Sequence, residues 1–143
     1  MDQQQRRRWL IGALLQERTD QPRLQAMPIP EGEAEQKQLL RALFNIRPPM
    51  PASQEFLAVQ DAYLQQETRR KGVTDLSDLA PVQPGLYLWQ GDITTLRCDA
   101  IVNAANSRML GCFCPNHGCI DNAIPHSITQ GFTWSSKIEC CCT

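Results

Sequence analysis

The stretch QGDITTLRCDAIVNAAN, residues 90–106, carries the architecture of this chain. Ala100, Ile101 and Val102 form a short continuous apolar run that ends in small and amide residues, the pattern of a strand buried on both faces. Before it, GDITTL reads as a turn, and earlier still GLYLWQ, residues 85–90, is short, apolar and aromatic enough for another strand. Helices precede these strands. Helices followed by short hydrophobic strands predict an α/β layer architecture.

The helical half runs to about Gly72. In RRRWLIGALL, residues 6–15, three arginines before an apolar run imitate a secretory leader, but the run is short, Gln16, Glu17 and Arg18 follow it, and no small-residue cleavage site appears. Trp9, Leu10, Ala13 and Leu14 share one helical face, which favours an amphipathic helix. Pro22, Pro28 and Pro30 then break the pattern. A second helix is predicted through EQKQLLRALFNI, residues 35–46, with Leu39, Leu40, Leu43 and Phe44 as its stripe, stopped by Pro48, Pro49 and Pro51. Ser53 suits the N-cap of a third, residues 54–71, whose Phe56, Leu57, Val59, Tyr63 and Leu64 face inward. Arg69, Arg70 and Lys71 suit its C-terminal dipole and Gly72 its C-cap.

Composition narrows the function. At 143 residues the chain can bury a core of its own, so a metal is not needed merely for collapse. With 14 basic and 15 acidic residues, its net charge of −1 offers no broad cationic field for nucleic acid or an anionic membrane. No segment is long enough to span a bilayer. Seven cysteines, an odd and clustered set without an export signal, predict a reducing cytoplasm where Cys with His means metal or catalysis.

That cluster is GCFCPNHGCIDN, residues 111–122. Cys112, His117 and Cys119 are separated by four residues and by one, and a loop containing Pro115 and Gly118 can bring them to one point. Both ligand types suit zinc. No second ligand pair stands at finger or ribbon spacing, so three ligands leave a fourth position open, as at a catalytic zinc, unless Cys114 closes it into a structural Cys3His site. Inert buried cysteines beside a surface histidine are the bland alternative. Upstream, Asp92 either caps its turn or faces a ligand crevice at a strand end, and Asn106 either binds there or fills a left-handed position.

Taken together, residues 90–122 closely resemble the start of the macrodomain fold, and within it the microbial zinc-dependent macrodomains that hydrolyse ADP-ribosyl linkages on proteins. G-D-I-T and V-N-A-A-N are shared with plain macrodomains; the Cys, His, Cys insertion marks the zinc subgroup, and the helical leader is similar to that subgroup's N-terminal extension. The resemblance covers roughly the first 124 residues. It implies an α/β fold: a helical extension over residues 1–83, the first part of a three-layer α/β/α macrodomain over 84–124, and a tail foreign to the family over 125–143.

The same resemblance implies the site. Asp92 would contact the adenine with backbone help from Ile93, Asn106 would sit by the distal ribose, and Cys112, His117 and Cys119 would ligate one zinc ion. Ile120 and Asp121 would line the same pocket, Asp121 being the candidate to orient water or sugar, with Asn103 in support. Cys114 falls where the family needs no cysteine and stays outside the ligand set. The implied substrate is an ADP-ribosylated protein, with a sirtuin-type ADP-ribosyltransferase and a lipoyl-carrier protein as implied partners, in the cytoplasm. A module that binds ADP-ribose without cleaving it is the alternative.

The family pattern holds at Asp121, Asn122 and Ile124, then Pro125 precedes His126 and the following residues are foreign to it. A slip of reading frame would produce such a switch, which the coding DNA tests. Without the later strands and the glycine-rich diphosphate loop, the expected sheet has an open edge and the 143-residue chain is expected to show little activity. The successive cysteines Cys140, Cys141 and Cys142 are too close in sequence to converge on one tetrahedral ion.

Overall fold

The computed structural model describes residues 1–48, 50–104 and 112–127, the last three by backbone alone. Three long helices form its core: α1 (Gln3–Gln16), α3 (Glu33–Ile46) and α4 (Gln54–Lys71), with the short α2 (Pro22–Gln25) between the first two. α1, α2 and α4 start for local reasons. Asp2 and Gln5 cap α1 reciprocally, each side chain accepting the other's backbone N–H. Pro22 opens α2 at the position where a missing N–H costs nothing. Ser53 Oγ accepts the Phe56 N–H at the start of α4, and Gly72, at φ 87°, ends it in a conformation that other residues adopt only with strain.

α1 packs against both α3 and α4, and its buried stripe is accordingly wide. Leu10, Ile11, Leu14 and Leu15 are buried, while Trp9 and Ala13 from the predicted face sit at its margin. Leu40 and Leu43 of α3 and Phe56, Val59, Tyr63 and Leu64 of α4 complete the core. Burying side chains of this size stabilises by about 1.5–3 kcal/mol each. Of the leading arginines Arg7 belongs to the bundle: it is buried, donates to Gln36 Oε1 at 2.9 Å and pairs with Glu33, while Gln36 donates to the Pro30 carbonyl. At the far end Arg47 lies over the Phe56 ring, holds Glu17 through two hydrogen bonds, and Arg18 donates to the Ile46 carbonyl. No helix among the described residues is long and apolar enough to cross a membrane.

Beyond α4 the chain departs from the predicted strands. The sheet is one small antiparallel pair, β1 (Pro81–Gln83) and β2 (Leu86–Tyr87), turning through Gly85 at φ 75°. GLYLWQ therefore contributes two strand residues. Ala100, Ile101 and Val102 are in no strand, and Val102 is 91% exposed. The reason is physical: a strand needs a neighbour for its backbone donors and acceptors, and no strand among the described residues pairs with this run. GDITTL becomes a 3-10 turn at Ile93–Thr95, tied to the end of α4's connection by Thr74, whose N–H reaches the Thr95 carbonyl at 2.9 Å and whose carbonyl takes the Arg97 N–H at 2.8 Å. The structure is thus mixed helix with a small antiparallel sheet. α5 (Ile120–Ser127) packs against α3 and the 3-10 turn, and continues through Pro125, where the sequence pattern shows no helix. Packing of Ile124 into the interior favours the helix enough to outweigh one backbone hydrogen bond forgone at the proline.

Candidate metal centre

The loop carrying Cys112, His117 and Cys119 is built from a tight turn and a helix start. Pro115 and Asn116 occupy the turn's centre, the His117 N–H closes it onto the Cys114 carbonyl at 3.2 Å, and Asn116 takes a left-handed φ of 55°. Proline followed by a left-handed residue is the arrangement of a type II turn, and asparagine tolerates it. Cys119 stands just before α5, its carbonyl accepting the N–H groups of Asn122 and Ala123. The sulfurs of Cys112 and Cys119 and a ring nitrogen of His117 lie within 4.8 Å of one another, with Cys112 Sγ 3.6 Å from His117 Nδ1. Ligands of a tetrahedral zinc, at Zn–S near 2.3 Å and Zn–N near 2.0 Å, stand about 3.3–3.8 Å apart, so this donor set can hold a metal ion with little movement. Partial burial, followed by the neighbouring Cys112 thiol and the Asp121 charge, pushes the Cys119 thiol up in the metal-free chain. Cys114 is exposed and lies outside the group of three.

The protein scaffold reaches the loop through its backbone. Asn122, fully buried, donates to the carbonyls of Cys112 and Cys114 at 3.3 and 3.0 Å. Arg41 of α3 donates through Nη2 to the His117 carbonyl and to Asn122 Oδ1, both at 3.0 Å. One turn further along α3, the buried Asn45 accepts the Asn116 N–H at 2.9 Å. Asn122 was legible only as part of a sequence pattern. Arg41 and Asn45 had no signal, since a polar residue on a predicted helix reads as solvated until something is known to pack there.

Asp121 follows Cys119 by two residues, is 6% exposed, and accepts the Asn103 side-chain N–H at 2.9 Å. Asn103 Oδ1 is buried and accepts no hydrogen bond among the described residues. Ile120 and Ile93 are half-buried. Asp92 caps the 3-10 turn, its Oδ1 accepting from the Thr94 N–H and hydroxyl and its Oδ2 from Lys71 Nζ at 2.8 Å. Partial burial opposes ionisation, but these hydrogen bonds and the lysine charge outweigh it and hold the carboxyl down to about 2. Asp92 also lines a groove of about 270 Å³ between α3, α4 and α5, with Lys37, Arg41, Tyr63, Lys71 and Ala123. Asn106 and the three consecutive cysteines lie outside the described residues.

No family model matches the chain. It is 53% identical over 128 residues to a protein-ADP-ribose hydrolase of Treponema medium, covering 87% of this chain and 48% of that protein. It is 50% identical over 117 residues to a protein-ADP-ribose hydrolase of Staphylococcus aureus, covering 81% and 42%. The chain thus spans about half the length of the curated relatives it matches. The chain is therefore similar, over most of its own length and at about half identity, to proteins named protein-ADP-ribose hydrolase.

Proposed function

We propose that this chain carries the metal-bearing part of a zinc-dependent protein-ADP-ribose hydrolase. The observation behind the proposal is the convergence of Cys112, His117 and Cys119 two residues before the buried Asp121, in a chain half identical to proteins named for that activity. Zinc bound there supplies Lewis acidity, either lowering the pKa of a water or gripping a ribose hydroxyl.

The chain's own residues do the rest. Cleavage at the distal ribose passes through an oxocarbenium-like centre and depends on a positioned water and an oriented sugar. Asp121, two residues beyond Cys119 and held by Asn103, is the carboxylate placed to orient that water or a ribose hydroxyl. Asp92 stays ionised at all ordinary pH, and each of its oxygens has a second acceptor site, so its Oδ2 can take an adenine amine while keeping Lys71. An ADP-ribosylated protein is the substrate of this reading.

Because the chain spans about half its relatives' length, we expect weak turnover from the 143 residues alone. The test fuses them to the part of the Treponema medium relative that they do not cover and follows ADP-ribose release from a modified protein. Release that chelation abolishes supports the proposal. A zinc-loaded fusion that binds ADP-ribose and releases none from the protein would sink it.

A further inference from the structure

We propose that Arg41 and Asn45 of α3 are positioning residues for the metal loop, so that metal affinity is set in part by the helical bundle rather than by the ligands alone. The proposal rests on the metal reading of the loop and is independent of whether the protein hydrolyses ADP-ribose.

The geometry is specific. Positions 41 and 45 are four apart and lie one above the other on a single face of α3. From that face Asn45 holds the N–H of Asn116, the residue whose left-handed turn points the chain back toward His117. Arg41 holds the carbonyl of His117 itself and also the side chain of Asn122. Asn122 passes the constraint on, since its amide binds the carbonyl of Cys112. Two of the three candidate ligands therefore have their backbone carbonyl held by the Arg41 or Asn122 side chain, and the third, Cys119, stands just before the helix that contains Asn122.

A loop of eight residues left free in solution would oppose metal binding by the entropy of ordering it. Here α3 orders it beforehand. Partners behind the ligands tune metal sites in just this way, and the outer partners in this chain come from a helix some 70 residues earlier in the sequence. A reciprocal effect follows: metal that favours the ordered loop also favours the bundle face on which the loop rests.

Cobalt titration of the full 143-residue chain, read by the thiolate-to-cobalt absorption band, tests this alongside melting of the metal-free protein. Wild type is compared with Arg41→Ala, Arg41→Lys and Gln38→Ala, the last an exposed position on the same helix. Arg41→Ala is expected to weaken cobalt binding by roughly 10–100-fold while keeping a cooperative metal-free melt at a modestly lower temperature, because the hydrophobic core does not involve this exposed side chain but the buried Asn122 Oδ1 loses its donor. Arg41→Lys should recover part of the loss, and Gln38→Ala should match wild type. Equal affinity in wild type and Arg41→Ala overturns the inference while leaving the metal site standing. Loss of the cooperative metal-free melt in Arg41→Ala, or no recovery of cobalt affinity in Arg41→Lys, also overturns it, since either marks a merely structural residue. Absence of the band in wild type overturns the metal reading and this inference with it.

Discussion

Asn103 donates its side-chain N–H to Asp121 Oδ1 at 2.9 Å, joining the last described part of the VNAAN stretch to the first turn of α5. The bond spans 18 residues and touches a carboxylate that is almost wholly buried. Removing the donor with Asn103→Ala deprives Asp121 of that partner and should destabilise the chain by about 1–3 kcal/mol. Urea denaturation of the two proteins measures it; an unchanged midpoint would mean the bond contributes nothing net.

The Asp92 carboxyl, held at about 2 against an ordinary 3.8, makes a pH prediction whose sign is fixed. A depressed folded-state value gives stability that is fully present above the unfolded value and is lost as pH falls from about 4 toward 2. The group is exposed, so solvent screening keeps the effect small. Lys71→Met removes the ammonium and should move the Asp92 titration upward toward 3.8, observable by carboxyl-carbon NMR.

Cys114 and Cys119 are expected to differ sharply. Cys119→Ser breaks the group of three and should leave the purified chain without metal, while Cys114→Ser should keep one ion per chain, both read by native mass spectrometry. Loss of metal in Cys114→Ser would place that thiol in the ligand set and close the site to a water.

Leu43 is 1% exposed at the centre of the helical core. Leu43→Ala should cost about 2–5 kcal/mol, the lost transfer energy plus the cavity. A much smaller loss in denaturant unfolding would show that the bundle collapses around the gap.

How much of this was legible beforehand varies with the kind of residue. The helices were, because a period near 3.6, Ser53 at a cap and Gly72 at a terminus act over a few residues of the same chain. The buried strand expected at Ala100 to Val102 does not form, because an apolar run reports only an appetite for pairing, and pairing depends on what lies beside it. Pro125 misled for the reverse reason: a proline's local preference lost to the packing of Ile124.

For the candidate site the division is similar. Cys112, His117 and Cys119 are close in sequence, so spacing and turn chemistry were enough to suggest that they gather, and their donor atoms do lie together. What the amino-acid sequence by itself determined is therefore the local chemistry: which helices form, where they are capped, and which loop gathers donors that could hold a metal. Only the tertiary structure decided that Arg41 and Asn45 meet that loop, that Asn103 meets Asp121, and that Arg7 turns inward to Gln36. Those contacts join residues 18 to 76 positions apart, and no local periodicity encodes them; they exist because burying one helix face forces particular polar side chains to find partners there.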